Sequence, residues 1–395
     1  MTTKISPPIR QPLFRIDEFD GLRGILALWV ALVHIISWCG LAPLAFAIPE
    51  VGKRLWNESA QGAVDVFMIL SGFVITHLLY SRPQSYRQFM IGRFFRIYPV
   101  YLVCLLLGLS TIGMMSSMLA QAPWHNVPYF QAWLSPTVTA QSAHPISHFV
   151  AHLILLFGVI PEKLMPNAST TLLGPAWSIT LEWQYYLLAP SLARLVFCRF
   201  GLMLLGLVGA GNFVFYHFWS AAFFPIQLPL FLVGIGSYHL YLHARLWRLK
   251  PQLITLSLIV VLTAIFSIGW HWMALSVWVL VLGCLVLNAN GHQNHGGLER
   301  WLGWWQRLLL KPALQGLGKI SYPLYLVHWP VIIFLMFGLL HWQPEIAPVN
   351  ALLFMLVIGL PVILFVAFLL HQCLEAPLMK FGRKFTQAKR PVSGA

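Results

Sequence analysis

Apolar runs about 20 residues long, the length a bilayer core requires, recur along the chain between short basic or Pro- and Gly-rich segments. They fall, with soft edges, at 22–47, 62–81, 93–119, 146–164, 174–193, 200–217, 222–243, 252–269, 271–289, 317–340 and 349–373. Repeated runs of this length predict membrane helices, since strands are shorter and the core helices of soluble domains alternate with a polar face. The polar stretches between them are too short to fold alone. The predicted class is all-α, a polytopic transmembrane helical bundle whose immediate partner is the lipid bilayer.

Charge decides which runs cross. Lys4, Arg10, Arg15 and Arg23 precede or open the first run, so the N-terminus is expected in the cytoplasm. If every run crossed, Arg194, Arg199, Arg245, Arg248 and Lys250 would lie outside, against the positive-inside tendency. Segment 146–164 is short, carries His148 and His152, and ends at Pro161-Glu162-Lys163. If it does not cross, those residues move inside, together with Arg300, Arg307, Lys311 and the tail from Lys380 to Arg390. Lys53, Arg54 and Lys163 then remain outside. The expectation is ten spanning helices, one re-entrant or interfacial segment, and both termini cytoplasmic, as in a multi-pass protein of the cell inner membrane. The domain reading is a cytoplasmic segment at 1–18, a membrane domain at 19–378 and a basic tail at 379–395, disordered from 385. The first run is too long for a signal-peptide core and lacks a small-residue cleavage site, so it is expected to stay in the membrane. No internal repeat is visible.

Composition agrees. Of 395 residues, 58% are hydrophobic and 9% charged, against about 25% charged in a soluble domain. The net charge of +14 would suggest nucleic acid on a soluble protein. Here cytoplasmic loops account for it, and nucleic acid is not an expected partner. The five cysteines are odd in number and include no CxxC, which gives neither a disulfide framework nor a zinc site; no metal is expected.

Polar groups within the runs carry the chemistry, because a charge at mid-bilayer costs about 2.5–3.5 kcal/mol on insertion scales. Arg23 and His34 are eleven residues apart, nearly three helical turns, and so share one face about 16 Å apart. Arg23 sits at the cytoplasmic mouth with Asp20 as its ion-pair partner, and His34 is placed near mid-membrane. His34 is either a helix-packing hydrogen bonder or a working imidazole. Asp65 either binds substrate or a partner cation, or makes a structural pair or cap. Gly62, Ser71 and Gly72 beside it suit close helix contact. Arg93 and Arg96, one turn apart, are either snorkelling anchors or, with Arg23, a cluster for phosphate. Glu182 lies mid-run among Trp177, Trp183, Tyr185 and Tyr186. It is either a satisfied buried carboxylate or part of a site. Ser321, Tyr322, Tyr325 and His328 line one run, which Pro323 and Pro330 should kink.

Seven segments, FDGLRGILALWVALVH (19–34), GAVDVFMILSGFVI (62–75), GRFFRIYP (92–99), PAWSITLEWQYYLL (175–188), FLVGIG (231–236), KISYPLYLVHWPV (319–331) and Glu375-Ala-Pro377, occur in an order that resembles the acyltransferase-3 family of integral-membrane acyltransferases. The resemblance spans about residues 19–378. It implies an Arg-x10-His pair at Arg23 and His34, basic residues at Arg93 and Arg96, and an acid at Glu182. Two positions depart from the pattern. Trp183 stands where many members have a second acid, and Gly92 where many have a further basic residue. No hydrolase-like domain is expected after the membrane part.

The resemblance implies an acyl-CoA donor, most often acetyl-CoA, and an O-acetyltransferase acting on a saccharide or glycolipid acceptor. Its phosphates would dock on Arg23, Arg93 and Arg96, and its pantetheine arm would carry the thioester toward His34. A neutral imidazole there can serve as general base or accept the acyl group. Glu182 would orient His34 or polarise the acceptor. Asp65, Trp177, Tyr322 and His328 are the expected substrate contacts. The acceptor would arrive from the outer side, guided by the 121–174 region with Trp124, Tyr129, Trp133 and several histidines. Two rival readings stand beside this one: acylation of a small hydroxylated metabolite such as a macrolide, and a proton-coupled transporter, since intramembrane His, Asp and Glu are what proton relays use.

Overall fold

The computed structural model describes residues 16–41, 50–81, 84–127, 130–196, 199–247, 271–289 and 297–386. The expected run 252–269, most of the N-terminal segment and residues 387–395 lie outside these. Among the described residues the chain is helical, without strands. The helices are α1 (Glu18–Trp38), α2 (Glu50–Ser81), α3 (Tyr86–Ser110), α4 (Ile112–Gln121), α5 (Ser135–Ala143), α6 (Pro145–Leu153), α7 (Trp177–Leu195), α8 (Arg199–Ala210), α9 (Asn212–Phe215), α10 (Phe224–Trp247), α11 (Trp272–Ala289), α12 (Gly297–Leu309), α13 (Pro312–Trp342), α14 (Pro348–Phe354), α15 (Leu360–Leu370) and α16 (Ala376–Thr386). Wide π-helical turns at Met355–Gly359 and His371–Glu375 join the last three into one long rod.

Among the described residues, five helices are long and apolar enough to cross a membrane: Glu18–Trp38, Ser59–Ser81, Tyr86–Ser110, Pro312–Trp342 and Pro348–Thr386. Large apolar side chains face outward on α8 and α15, including Phe200, Met203, Leu207 and Phe365. Such a girdle suits lipid and would be costly in water.

Several expected runs are refined. The 93–119 run breaks at Thr111 into α3 and α4, and the 200–217 run breaks at Gly211. The 146–164 segment holds only the nine residues of α6 before Leu155 turns the chain at φ 55°. Nine residues reach about 13 Å, less than half the hydrocarbon thickness. The amphipathic α12 was not among the expected elements. It buries Leu302 and Leu309 while Trp301 and Trp304 stay exposed. At the far end, helix α16 runs on through Thr386 and packs on α3 through Phe95 and Phe381. The first part of the expected tail is therefore packed helix.

Two backbone seams organise the core. On α1 and α13, a Cβ on Gly24 would stand 2.8 Å from the Gly318 nitrogen, and one on Gly318 only 2.0 Å from the Asp20 carbonyl oxygen. On α2 and α10, Gly72 faces the Phe231 carbonyl and Gly234 the Ile69 carbonyl just as closely. Small residues let helix backbones touch where lipid offers no hydrophobic drive to associate. The sequence reading of Gly72 as a contact residue agrees with this.

Candidate active site

A cavity of about 550 Å³ opens between α1, α2, α3, α7, α13 and α16. That volume lies in the range of small-molecule sites, about 300–1,000 Å³. Its position follows from local signals. Ser85 caps α3, accepting from the Gln88 backbone N–H at 3.3 Å while the Gln88 side chain accepts from the Ser85 N–H at 2.9 Å. This start fixes Arg93 and Arg96 two to three turns in, where both line the cavity with Arg23 of α1. Lys319, Lys380 and Arg383 add to the cationic wall, against Asp20 and Glu182.

The cations are not equivalent. Arg23 pairs with Asp20 at 3.6 Å, as the sequence suggested. Arg96 is held by the fully buried Glu375, whose other oxygen accepts from His371 Nδ1 at 2.7 Å. Arg93 lies over the rings of Phe89 and Tyr186, 6.0 and 5.6 Å from their centroids. Its buried Nε has no hydrogen-bond partner, and no ion pair holds it among the described residues. A buried, unmatched guanidinium donor is costly unless a ligand anion completes it.

Glu182 also faces the cavity. It accepts from the Tyr186 hydroxyl, with Ser71 Oγ 3.5 Å away. The expected link to His34 gives way to these partners. Tyr322 lines the wall and donates to the Ile97 carbonyl at 2.7 Å. At the inner end, Tyr325 donates to the Pro175 carbonyl at 3.1 Å and meets Ser178 Oγ at 2.8 Å, with Phe67 edge-on beside it.

The two histidines lie one layer beyond. The ring of His328 is 6.2 Å from that of Tyr325, and its Nε2 is 2.8 Å from His34 Nδ1 in nearly parallel rings. His328 Nδ1 is 3.1 Å from the Leu324 carbonyl. A carbonyl only accepts, so His328 carries its proton on Nδ1 and offers a lone pair at Nε2. His34 then donates from Nδ1, which leaves the His34 Nε2 lone pair unspent. Trp329 stands edge-on to His34, and Trp38 packs behind it. Because α1 ends at Trp38 and turns at Gly40 (φ 72°), His34 lies about one turn from the C-terminal end of α1.

Three expected contacts sit elsewhere. Asp65 is buried in a polar cluster, accepting from Gln61 at 2.7 Å and His271 at 2.5 Å. Trp177 opens α7, half-buried against the core. Trp124 is buried and donates to the Trp38 carbonyl at 3.0 Å. Of the histidines in that region, His148 and His152 are likewise internal, whereas His144 is exposed. His148 Nδ1 meets Thr171 Oγ1 at 3.0 Å, and His152 donates to the His148 carbonyl at 2.8 Å. They pin the loop that was expected to guide an acceptor. Trp183, at the departing position, fills space against Phe94. No cluster of metal-ligating side chains occurs among the described residues.

The acyltransferase-3 family model, described as an acyltransferase domain, matches residues 16–372. The chain belongs to this family. The acyltransferase is 26% identical to acyltransferase MdmB of Streptomyces mycarofaciens over 96% of this chain and 95% of the relative. It is 22% identical to a putative O-acetyltransferase of Staphylococcus aureus over 81% of this chain, spanning about half (51%) of that protein's length. Over 45% of this chain it is 29% identical to protein 2 in the picA locus of Rhizobium radiobacter. No solved structure matches it. Membership settles the class as a membrane acyltransferase and sets the carrier reading aside. Sequence reasoning missed Lys319, Lys380, Arg383, His371 and Ser178 as parts of this site. A signal existed for some of them: the Glu375-Ala-Pro377 match and the KFGRK pattern after it mark a helix with a basic face.

Proposed function

We propose that the protein is an O-acyltransferase of the inner membrane that moves an acetyl group from cytoplasmic acetyl-CoA to a hydroxyl of a saccharide or lipid-linked glycan. In this reading ten helices cross the bilayer and both termini are cytoplasmic. The observation that carries the proposal is the hydrogen-bond chain from the Leu324 carbonyl through His328 to His34, which leaves a directed lone pair on His34 Nε2. It lies one layer behind a cavity rimmed by cations, among them Arg93, whose buried Nε has no hydrogen-bond partner among the described residues.

Arg93, Arg23 and Arg96 hold the donor phosphates, and the apolar wall formed by Val64, Phe67 and Met68 takes the pantetheine arm. Tyr325 and Ser178 close the inner end, so the thioester reaches the histidines when this pair parts. His34 Nε2 takes the proton of the acceptor hydroxyl, whose oxygen forms the new bond to the acyl carbon. The C–S bond breaks, and the leaving thiolate receives the proton back from His34. His328 keeps the imidazole in the required tautomer and shares the charge that forms. Glu182 counters the arginines and anchors Tyr186 in the donor cavity. The outer-end position of His34 favours an acceptor arriving from the outer face.

The test is transfer of label from acetyl-CoA to a lipid-linked or polysaccharide acceptor by purified protein in lipid nanodiscs. Label should accumulate on acceptor oxygen, and the His34→Ala variant should lose it while still binding acetyl-CoA. Full transfer by that variant would sink the mechanism.

A further inference from the structure

A second, smaller cavity of about 360 Å³ adjoins the first under α16. The two share Arg93, Met379 and Arg383. The smaller chamber is lined by these two arginines and by no carboxylate among the described residues. Two buried donors are without partners there: Arg93 Nε at the shared wall and Gln84 Nε2. Neither Arg93 nor Arg383 is ion-paired among the described residues, whereas Arg23 and Arg96 already have carboxylate partners. The chamber has room along Gly92, where an added Cβ would meet only Thr386, at 3.8 Å. Gly382 fixes the geometry, since its close approach to the Phe95 ring holds α16, and with it Arg383, against α3.

Donors without acceptors call for an anion with further acceptor atoms. The larger cavity carries the apolar wall and reaches Tyr325. The smaller one adds the unmatched Gln84 donor and the space at Gly92, and Arg93 and Arg383 line both. We propose that the smaller chamber is a nucleotide subsite. In it the phosphoadenosine end of coenzyme A lies against Gln84 and Gly92, its pyrophosphate is clamped by Arg93 and Arg383, and its thioester arm enters the larger cavity. This rests on the acyl-CoA reading above and adds to it a role for α16 and Gln84. It also accounts for the missing basic residue at position 92: the cation comes from Arg383, and the glycine leaves space for the nucleotide.

The experiment uses the full chain in phosphatidylcholine nanodiscs and calorimetric titration with acetyl-CoA, acetyl-pantetheine and adenosine 3′,5′-bisphosphate. The bisphosphate should bind wild type and compete with acetyl-CoA. Arg383→Ala should weaken both about tenfold, the scale of one charge-assisted hydrogen bond, and leave acetyl-pantetheine within about twofold. Gly92→Phe, which fills the chamber from a position with slack, should repeat the pattern. Thermal unfolding of each variant confirms that it is folded. Unchanged acetyl-CoA affinity in both variants, or no binding of the bisphosphate, overturns the subsite while leaving the donor reading intact. Failure of acetyl-CoA and acetyl-pantetheine alike to bind wild type overturns the donor reading itself. Displacement by phosphatidylglycerol nanodiscs, with no bisphosphate binding in phosphatidylcholine, assigns the chamber to a lipid headgroup and likewise overturns the proposal.

Discussion

The arginine cavity and the histidine pair are built on opposite plans. The cavity gathers charged groups from five helices, partly exposed and only partly matched, with no counter-ion on Arg93 among the described residues. The histidine pair comes from α1 and α13 alone. It is jacketed by Trp329 and Trp38, and His328 is fully buried. A site that captures a charged ligand gains from donors kept unsatisfied until the ligand arrives. A site that moves one proton gains from a fixed tautomer shielded from bulk water. The Tyr325 layer between them keeps the two plans apart.

That division breaks first, if it breaks, at His34. General-base catalysis contributes about 10²–10⁴-fold, so His34→Ala should lower kcat by at least about 10²-fold and leave the acetyl-CoA Kd unchanged. Loss of donor binding in this variant would mean that the two regions are one. Arg93→Ala should show the mirror image. Removing a charge-assisted donor costs about 1.5–3 kcal/mol, which raises the donor KM about ten- to a hundredfold with kcat nearly intact. A kcat-only effect would place Arg93 in the chemistry instead.

Tyr325→Phe tests the layer between the regions. It removes a hydrogen bond to the Pro175 carbonyl and the contact to Ser178, about 0.5–1.5 kcal/mol of stability. Hydrolysis of acetyl-CoA without acceptor should rise severalfold as the inner end loosens, and an unchanged hydrolysis rate would show that the latch does not gate. The smallest effect concerns the loop beneath. Burial pushes His152 down to about 4, so it stays neutral in the folded state while the unfolded chain protonates near 6.5. Its contribution to stability is present above about pH 6.5 and is lost as pH falls toward about 4. Melting curves of wild type and His152→Asn should therefore diverge less at mildly acidic pH than at neutral pH. A constant gap would remove His152 from the acid response.

The sequence made local relations legible and left distant ones hidden. The shared face of Arg23 and His34, and the Arg23–Asp20 pair, follow from helical period alone. The bond from His34 to His328 joins positions 294 residues apart, and no periodicity reports it. Glu182 was legible as an expensive acid, expected to orient His34 or polarise the acceptor, but its hydrogen-bond partners on its own helix and on α2 were not. Asp65 was read with both outcomes open, and its partner His271 follows a stretch of apolar sequence that gives no hint of the contact. Residues 379–386 of α16 were read as the start of a basic tail. Its basic residues face the cavity and its apolar face packs on α3, an arrangement that only the fold supplies.

The glycine seam between α1 and α13 sets the tolerance of the histidine pair. Asp20 and Gly318 meet backbone to backbone at one end of it, about 15 Å along α13 from His328. Nothing compressible lies between the helices there, so any side chain at position 318 levers α13 away from α1 and slides one imidazole past the other. The smallest residue in the chain thus acts as the alignment pin of the proposed proton path.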